Sequence, residues 1–529
     1  MRESGAKQER ISIPYFEGVN STVQHVIARR TELAHMENAR APIIGVLEKR
    51  EGQEVLGRAV GGGVFSTLGN FGLSYWDDGG VESQGLIRVT TVDGVLASVY
   101  FLNTADEWKL LANAKAQGLA INEVYDFANV DGQLLIVNGV DSNRMITSEI
   151  LLSTATMIDS TTAGSLYNSP RAKRATFYKS RIYLADYFDA SGNELKTTVL
   201  RSSYPMGIVS LTNGDVTAVD GSNNWVIPVT DTKYFYTTAG MNQYEVYRGS
   251  SKVATITITS MTETSITASN ANTTFEAGFT SFLSSDEVWI SGTYSGEKQY
   301  RWISNATSIG RDVKQYDTFK LAGGDEDEIT LLEPIGNILM VSNKNAMMTW
   351  NDYNLENFDL GVGCCSKNGY VKLKGALYFL HYSGIYSTSG SMPQLLSRKV
   401  DRYIRGATKS GLENAAAGYK GLSVFFTIGD VTLYNNDGSL WKVLPQTCLE
   451  FNVADQNWYV HTNVTSTQFE TFIDSTGEER LTMCSVTLAQ DAQFGAELLT
   501  NGGFTGNADG WTLGAGWQYG DNNVTFTNP

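Results

Sequence analysis

The residues of this chain with the clearest capacity for chemistry are four consecutive acids, Asp325, Glu326, Asp327 and Glu328. Paired carboxylates can serve as general acid and base or nucleophile, and clustered carboxylate oxygens can hold a hard cation. The run leads directly into an apolar segment, residues 329–332 (ITLL), as a solvated turn before a β-strand would. The turn is the simpler interpretation, and acids that face a channel or a cation are the functional one.

A second acidic segment, residues 186–194 (DYFDASGNE), alternates oxygen-bearing side chains with a glycine, loosely as calcium loops do. An EF-hand loop ends on a glutamate at its twelfth position, where this chain has Thr197. We therefore predict that the segment is the tip of a long β-hairpin.

Motifs for nucleophilic, metal or nucleotide chemistry are missing from the sequence. Only four His and four Cys occur, two of the cysteines are adjacent (Cys364 and Cys365), and no CxxC spacing exists. There is no HExxH, no P-loop, and no GxGxxG after a strand. We predict buried, reduced thiols, no cofactor, no metal and no enzymatic activity.

Two tryptophans near the C-terminus, Trp511 and Trp517, lie in a polar, glycine-rich stretch. Flat aromatic faces at a surface commonly stack on sugar rings, but tryptophan also packs the core of small jelly rolls. Both interpretations stay open, with Trp511 and Trp517 as the candidate glycan-stacking residues.

The composition predicts a large, mostly β protein. The 529 residues are 42% hydrophobic and only 18% charged, against roughly 25% charged in ordinary soluble domains. The 52 glycines, 26 tyrosines, 22 phenylalanines and 10 tryptophans exclude both a disordered chain and a coiled coil. What remains is a chain of several short strands with many tight turns.

The charge balance is acidic, with 40 Lys and Arg against 56 Asp and Glu, a net charge of −16. Such a chain is a poor general nucleic-acid binder, because affinity for phosphate comes from basic side chains, although the same sign suits a wall past which DNA slides. The longest apolar stretch, residues 95–102, is too short for a membrane span, and the N-terminus lacks the apolar region of a signal peptide. We expect synthesis in a cytoplasm and no membrane span.

A turn followed by a short apolar strand recurs along the chain, at residues 93, 131, 179, 335, 374 and 420. The intervals are about 38, 48, 156, 39 and 46 residues, and a period of roughly 40–50 is typical of β-propeller blades. The long interval indicates an inserted domain, and a Thr-rich hairpin near residue 256 lies within it. An irregular β-sandwich is the alternative.

These signals predict an all-β protein with a propeller-like core of six to eight blades, an N-terminal helical arm and an inserted small β domain. The expected ranges are 1–58 for the arm and docking helix, 59–211 and 302–490 for the propeller, 212–301 for the insertion, and 491–529 for the start of a jelly-roll-like segment. Helices are expected at residues 21–40 and, more weakly, at 105–117.

Three stretches of the sequence have motifs typical of one protein family. The first joins residues 13–18 (IPYFEG) to residues 45–52 (GVLEKREG), where Glu51 replaces the usual proline. The second joins residues 362–366 (VGCCS) to residues 373–386 (LKGALYFLHYSGIY), and the third runs from residue 316 to residue 334. In these stretches the chain resembles bacteriophage tail proteins of the β-propeller type, the hub, nozzle and stabilisation proteins of short-tailed phages. The C-terminal stretch separately resembles the opening of a carbohydrate-binding jelly-roll module.

The resemblance implies a structural virion protein without catalysis. Copies would form a homo-oligomeric ring, commonly six-fold in related tails, around the DNA exit channel, and DNA would pass without specific binding. The arm would dock to the adaptor or portal-side proteins, and the outer faces would carry tail fibres or spikes. The implied location is the tail of a virion assembled in the host cytoplasm.

Two other functions remain open on the sequence. A glycan-binding surface protein could use the same propeller scaffold with a carbohydrate module. A propeller glycosidase would need paired carboxylates in a central pocket, for which residues 325–328 are the candidates.

Overall fold

The computed structural model describes most of the chain between residues 66 and 484 and four short strands nearer the ends. The described ranges are 39–43, 46–49, 66–76, 82–91, 95–102, 107–111, 113–121, 124–147, 156–161, 166–189, 191–237, 239–294, 298–302, 318–321, 327–351, 354–358, 361–474, 477–484, 517–520 and 523–526. The predicted helix at residues 21–40 and most of the expected arm lie outside them.

Antiparallel sheets of four strands, which we call blades, follow one another along the chain. A hairpin of β1 (Ala39–Ile43) and β2 (Val46–Lys49) precedes them. Blade 1 contains β3 (Ser66–Trp76), β4 (Glu82–Thr91), β5 (Ala97–Leu102) and β6 (Trp108–Leu110). Blade 2 contains β7 (Asp126–Val130), β8 (Gln133–Val137), β9 (Arg144–Thr147) and β10 (Thr156–Asp159).

Blade 3 is interrupted by a separate sheet. It begins with β11 (Ala172–Tyr178), β12 (Arg181–Phe188) and β13 (Glu194–Arg201). The inserted sheet then contains β14 (Ile208–Leu211), β15 (Asn224–Pro228), β16 (Gln243–Arg248), β17 (Ser251–Met261), β18 (Ser265–Ser269), β19 (Thr274–Phe275) and β20 (Glu287–Ile290). The chain returns to complete blade 3 with β21 (Thr318–Lys320), which pairs with β13.

Three more blades follow. Blade 4 contains β22 (Leu331–Ile335), β23 (Ile338–Ser342), β24 (Met347–Trp350) and β25 (Leu355–Phe358). Blade 5 contains β26 (Tyr370–Leu373), β27 (Ala376–His381), β28 (Gly384–Thr388) and β29 (Gln394–Leu395). Blade 6 contains β30 (Ala417–Lys420), β31 (Ser423–Tyr434), β32 (Leu440–Asn452) and β33 (Asn457–His461).

A two-stranded hairpin occupies the seventh position and closes the ring. This blade 7 contains β34 (Gln468–Ile473) and β35 (Glu479–Cys484), and β34 contacts β30 of blade 6 on one side and β3 of blade 1 on the other. Nearer the C-terminus, β36 (Trp517–Gly520) pairs with β37 (Asn523–Phe526). The predicted all-β, propeller-like fold is therefore confirmed.

Helices are short in the described chain. Before blade 6 lie α1 (Asp401–Gly406) and α2 (Lys409–Glu413), which pack on β31. The 3-10 helices are Ala114–Ala116, Asn270–Asn272 and Ser397–Val400. None of the helices in the described ranges has the length and apolar character needed to cross a membrane.

In blades 2 to 6 the recurring turn of the sequence joins the first and second strands, whereas the turn expected at residue 93 falls between β4 and β5, the second and third strands of blade 1. Asp131 and Gly132 have φ of 50° and 82°, and Lys374 and Gly375 have 49° and 79°. A positive φ at both central residues is the requirement of the two-residue hairpin turn whose twist matches that of the strands. The first strands contact each other around the ring, so each turn sends the chain outward from the axis.

Seven hydrophobic clusters lie between the seven pairs of neighbouring blades, while an eighth fills the inserted sheet. Adjacent residues of one strand enter different clusters, because successive side chains point to opposite faces. In this way Phe425 packs towards blade 7 and Phe426 towards blade 5. Each side chain fully buried in such a cluster contributes about 1.5–3 kcal/mol.

The helix expected at residues 105–117 is wrong. Trp108 lies in β6, pairs with Leu102, and is buried in a cluster with Leu86 and Phe472. Only Ala114–Ala116 turn helically, as a 3-10 helix. The edge of blade 1 gains a fourth strand and a buried indole from this segment, and this tertiary packing outweighs the local helix preference.

A close approach of two loops makes Gly363 irreplaceable. Gly363 lies in the connection from β25 to β26, and a Cβ atom there would stand 2.0 Å from the backbone oxygen of Asn343. We expect Gly363→Ala to destabilise the protein by about 1–3 kcal/mol in urea unfolding, because backbone must move. Gly221→Ala, where no atom lies within 4 Å of the added Cβ, should leave the free energy of unfolding unchanged. A Gly363→Ala protein of wild-type stability would contradict the proposed packing.

Candidate functional site

The inner strands carry a group of polar residues that we call the axial cluster. Its members come from five blades: Asp126 on β7, Arg174 on β11, Glu333 on β22, Tyr370 and Lys372 on β26, and Glu470 on β34. They lie close enough for burial and the charges of Asp126 and Glu333 to raise the pKa of Tyr370 far above its usual value. Asp126 and Tyr370, more than 200 positions apart in sequence, therefore share one electrostatic environment.

Arg174 is the most buried member of the axial cluster, with 1% of its surface exposed. Its Nη1 lies 3.2 Å from Asp126 Oδ1, and its Nη2 donates to the carbonyl oxygens of Thr330, at 2.9 Å, and Lys367. Burial opposes the charge on Arg174, but Asp126, Tyr370 and Cys364 together outweigh it and raise the pKa of the guanidinium. One side chain thus joins blades 2, 3 and 4 to the connection before blade 5.

Glu328 lies beside this cluster in a four-residue ion network. Its Oε1 is 2.5 Å from Lys173 Nζ and its Oε2 is 2.8 Å from Lys367 Nζ, while Lys173 also contacts Glu194 at 2.8 Å. Burial alone would raise the pKa of Glu328, but the two lysines lower it to about 2. An acid held ionised in this way is unsuited to donate a proton, and its charge is neutralised by protein cations.

Of the other three acids in the run, only Asp327 lies within the described residues. Asp327 is half-buried, and its Oδ2 accepts a hydrogen bond of 3.0 Å from Asn345 Nδ2. Asp325 and Glu326 lie outside the described residues. Within the described part of the chain, no three His, Cys, Asp or Glu side chains gather in a way that could hold a metal ion.

The tip of the β12–β13 hairpin has the structure predicted from the sequence. Asp189 accepts hydrogen bonds from the backbone N–H groups of Ser191 and Asn193, at 2.9 and 2.8 Å, which closes the turn. Asp186 is buried and accepts from Thr197 N, at 2.8 Å, and from Ile329 N, at 2.6 Å, so it links blade 3 to the start of blade 4. Burial raises the pKa of Asp186 to about 6.

The side chains of the two candidate glycan-stacking tryptophans lie outside the described part of the protein. Trp511 lies outside the described residues. Trp517 begins β36, where it pairs with Phe526, and only its backbone is described.

Residues 363–367 join successive blades by hydrogen bonds. Cys364 N donates to Ser342 Oγ at 2.9 Å, and Thr330 Oγ1 donates to Cys364 O at 2.6 Å, so blade 4 is held from both of its inner strands. Ser366 Oγ donates to Ala415 O, just before blade 6, at 2.5 Å. All four cysteines are free and buried, as predicted.

Arg174 and Glu470 are not among the functional residues predicted from the sequence. Arg174 follows Lys173 in β11, so the pair resembles the exposed basic residues of many strands, and no local signal marks Arg174 as buried. Glu470 alternates with Phe469 and Thr471 in a half-polar strand, which looks like any exposed edge. Arg174 and Glu470 belong to one cluster only because the ring of blades closes.

Comparison with known proteins bears on the fold alone. No protein-family model and no curated protein matches the chain. Among solved structures, it is similar to the six-bladed β-propeller fucose lectin of Aleuria aurantia, at 9% identity over 75% of this chain and 94% of the lectin, with a TM-score of 0.27. It is also similar to the C-terminal WD40 domain of Sif2, at 9% identity over 80% and 96%, with a TM-score of 0.29. An ancestral GH74 enzyme matches at 11% identity over 79% and 68%, with a TM-score of 0.19. At these scores none of the three carries an argument about function.

Removing the buried guanidinium of Arg174 should lower the stability of the folded protein. We expect Arg174→Met to lower the free energy of unfolding by about 3–5 kcal/mol, because Asp126 and two carbonyl groups lose their partner. Arg405→Met is the matched control, since Arg405 is 78% exposed and its pair with Asp401, at 2.7 Å, should contribute about 0–1 kcal/mol. Urea unfolding measures both, and equal effects would refute the assignment of Arg174 as an inter-blade clamp.

Glu470 joins blade 7 to blade 1 and should make the stability depend on pH. Its Oε1 accepts a hydrogen bond of 3.0 Å from Gly72 N. Burial raises the pKa of Glu470 to about 8, helped by the charge of Glu333 and opposed by the Gly72 N–H. In the unfolded chain a glutamate titrates near ~4.3. Between these values the folded protein keeps a proton that the unfolded chain loses, so stability falls as the pH rises.

Glu470→Gln retains an oxygen that can accept from Gly72 and removes the titration. We expect its stability relative to wild type to increase by about 1–3 kcal/mol as the pH rises from about 4.5 to about 8, and to level off above. Urea unfolding of both proteins across this range is the measurement. Parallel pH profiles would show that Glu470 titrates alike in the folded and unfolded protein.

Proposed function

We propose that this protein is a non-catalytic structural component of a bacteriophage tail, of the hub or nozzle type. In this proposal copies of the propeller form a ring, six-fold by preference, that bounds the passage through which DNA leaves the particle. The N-terminal residues dock to the adaptor or portal-side proteins, and the outer surface carries tail fibres or spikes. The protein would belong to virions assembled in the host cytoplasm.

The observation that carries the proposal is that residues 363–367 form hydrogen bonds to several neighbouring blades. This segment belongs to the stretch that resembles the tail proteins, and its contacts reach Arg174 in blade 3, Thr330 and Ser342 around blade 4, and Ala415 before blade 6. The resemblance therefore rests on residues that hold neighbouring blades together. A part that must transmit load without deforming needs such contacts, since each blade is braced by two others.

The arrangement of charges supports a role without catalysis. Glu328 is held ionised between Lys173 and Lys367, which leaves it unsuited to act as a general acid. A glycosidase would need one carboxyl with a raised pKa facing a second carboxylate across the scissile bond. Glu470 has a raised pKa, but its Oε1 accepts a hydrogen bond from Gly72 N and joins blade 7 to blade 1. The propeller hydrolase is therefore the weaker alternative.

In this proposal the axial cluster bears on where the DNA would pass. Arg174, Tyr370 and Lys372 lie at the inner strands of a single propeller, where paired side chains link the blades. We propose that the DNA duplex passes between copies in the ring and not through one propeller, because these side chains occupy the inner strands. The net charge of −16 suits a wall that does not retain the DNA backbone.

The proposal is tested by locating the protein in purified virions. Immunogold labelling with antibody to the propeller should mark the tail tip or the tail collar. A protein lacking residues 1–38, which keeps the β1–β2 hairpin and all blades, should fold with a wild-type melting curve. It should nevertheless be missing from particles when it is the only copy supplied, because the docking segment is lost.

Two results would count against the proposal. Virions without label, with the protein found free or on cell surfaces, would favour a glycan-binding surface protein. Normal incorporation of the truncated protein would leave the tail location intact and refute the docking role of residues 1–38.

A further inference from the structure

The inserted sheet has one face that its core does not use. On β16 and β20 the residues Tyr244, Val246, Val288 and Ile290 point into the hydrophobic cluster of the insertion. The alternate residues point to the opposite face, where Glu245 pairs with Trp289 and Tyr247 with Glu287. Aromatic and acidic side chains thus lie together on the outer face of the sheet.

Three rings on this face form what we call the aromatic platform: Tyr247, Trp289 and Tyr294. The rings of Tyr247 and Tyr294 are stacked, with centroids 3.9 Å apart and planes 4° from parallel. Trp289 meets Tyr294 at 4.8 Å and 67°. Tyr294 is 37% exposed, so part of the platform is open to solvent.

The platform is held rigidly by its surroundings. Trp289 Nε1 donates to Glu287 Oε2 at 2.9 Å, and its six-membered ring packs on Gly207 so closely that a Cβ there would stand 2.6 Å away. The loop that carries Tyr294 is tied down by Gly292 N, which donates to Glu245 Oε2 at 3.3 Å. A rigid aromatic surface loses little conformational entropy when a ligand binds.

Folding alone does not account for this arrangement. The core of the insertion lies on the other face, and Ile208, which pairs with Trp289, is itself 37% exposed beside the platform. Exposed apolar surface bordered by polar residues marks interaction sites in proteins. The platform is therefore a candidate for ligand binding.

The polar rim indicates the class of ligand. Glu245, Glu276 and Glu287 offer carboxylate oxygens, and Lys252 Nζ lies 3.6 Å from Glu245 and 3.5 Å from Glu276. Donors and acceptors beside a flat aromatic face match a pyranose ring, which presents C–H bonds on its faces and hydroxyl groups around its edge. A cationic ligand fits less well, because Lys252 already neutralises the two carboxylates where a cation would sit.

We propose that the aromatic platform of the inserted domain binds a hexopyranose residue of a polysaccharide, with the sugar face against Tyr294 and its hydroxyl groups towards Glu287, Glu276 and Lys252. This site is separate from Trp511 and Trp517 in sequence, and it does not depend on the tail function proposed above.

The test measures binding of the full-length protein to immobilised oligosaccharides of glucose, galactose, mannose and N-acetylglucosamine by surface plasmon resonance. At least one should be bound, and Tyr294→Ala should weaken that binding about tenfold or more. Tyr294→Phe retains the ring and should bind within about twofold of wild type. Val226→Ala changes an exposed apolar residue on β15, away from the platform, and should bind as wild type does.

Thermal melting of each variant shows whether a loss of binding comes from misfolding, and Trp289→Phe provides a second test that keeps a ring on Gly207. Absence of binding to all four sugar classes would overturn the proposal. Sugar binding that is unchanged in Tyr294→Ala would place the sugar elsewhere on the chain and also overturn it. Binding of an oligoarginine peptide in place of sugars, lost in Tyr294→Ala, would replace the proposed ligand by a cation.

Discussion

Closure of the ring is the constraint on which the rest of the structure depends. A blade of four strands has two apolar faces, and each face is removed from water only when another blade lies against it. The hairpin β34–β35 has half the strands of its neighbours, yet Phe469 packs towards blade 6 and Phe472 towards blade 1. Without this hairpin, the two blades on either side would each expose one face.

Polar contacts near the axis fix the orientation of blades that the apolar clusters hold together. Apolar burial is insensitive to direction, so it does not by itself determine the rotation of one blade against the next. The hydrogen bonds of Arg174 to Thr330 and Lys367, and that of Gly72 to Glu470, are directional and join specific strands. Polar contacts of this kind remove carboxyl groups from water, and this desolvation raises the pKa values of Glu470 and Asp186.

The insertion differs from the blades because it has a hydrophobic cluster of its own. Its sheet surrounds its own cluster, in which Trp225 meets Phe275, Phe279 and Phe282. A unit with its own core can change its outer face without disturbing the propeller. Rigid scaffold and variable surface are thereby divided between two parts of one chain, and surface sites concentrate on such insertions.

Much of the fold could be predicted from the sequence, because the signals are local. Turns such as Asp131-Gly132 and Lys374-Gly375 suit positive φ, and the apolar runs after them have the length of single strands. The period of these turns indicated blades and an insertion between residues 179 and 335. The hairpin tip at Asp189 was predicted for the same reason, since a short polar side chain caps its own turn.

The tertiary structure alone decided which distant residues meet. Trp108 became a strand residue because blade 1 needed a fourth strand and a buried ring, which no local preference records. Glu328 became a neutralised ion because Lys173, far away in sequence, reaches it from another blade. Tyr247 and Tyr294 stack only because β20 returns beside β16. Sequence patterns report the conformation of neighbours along the chain, whereas charge pairing and ring stacking depend on distances in space that the closed ring and the inserted sheet create.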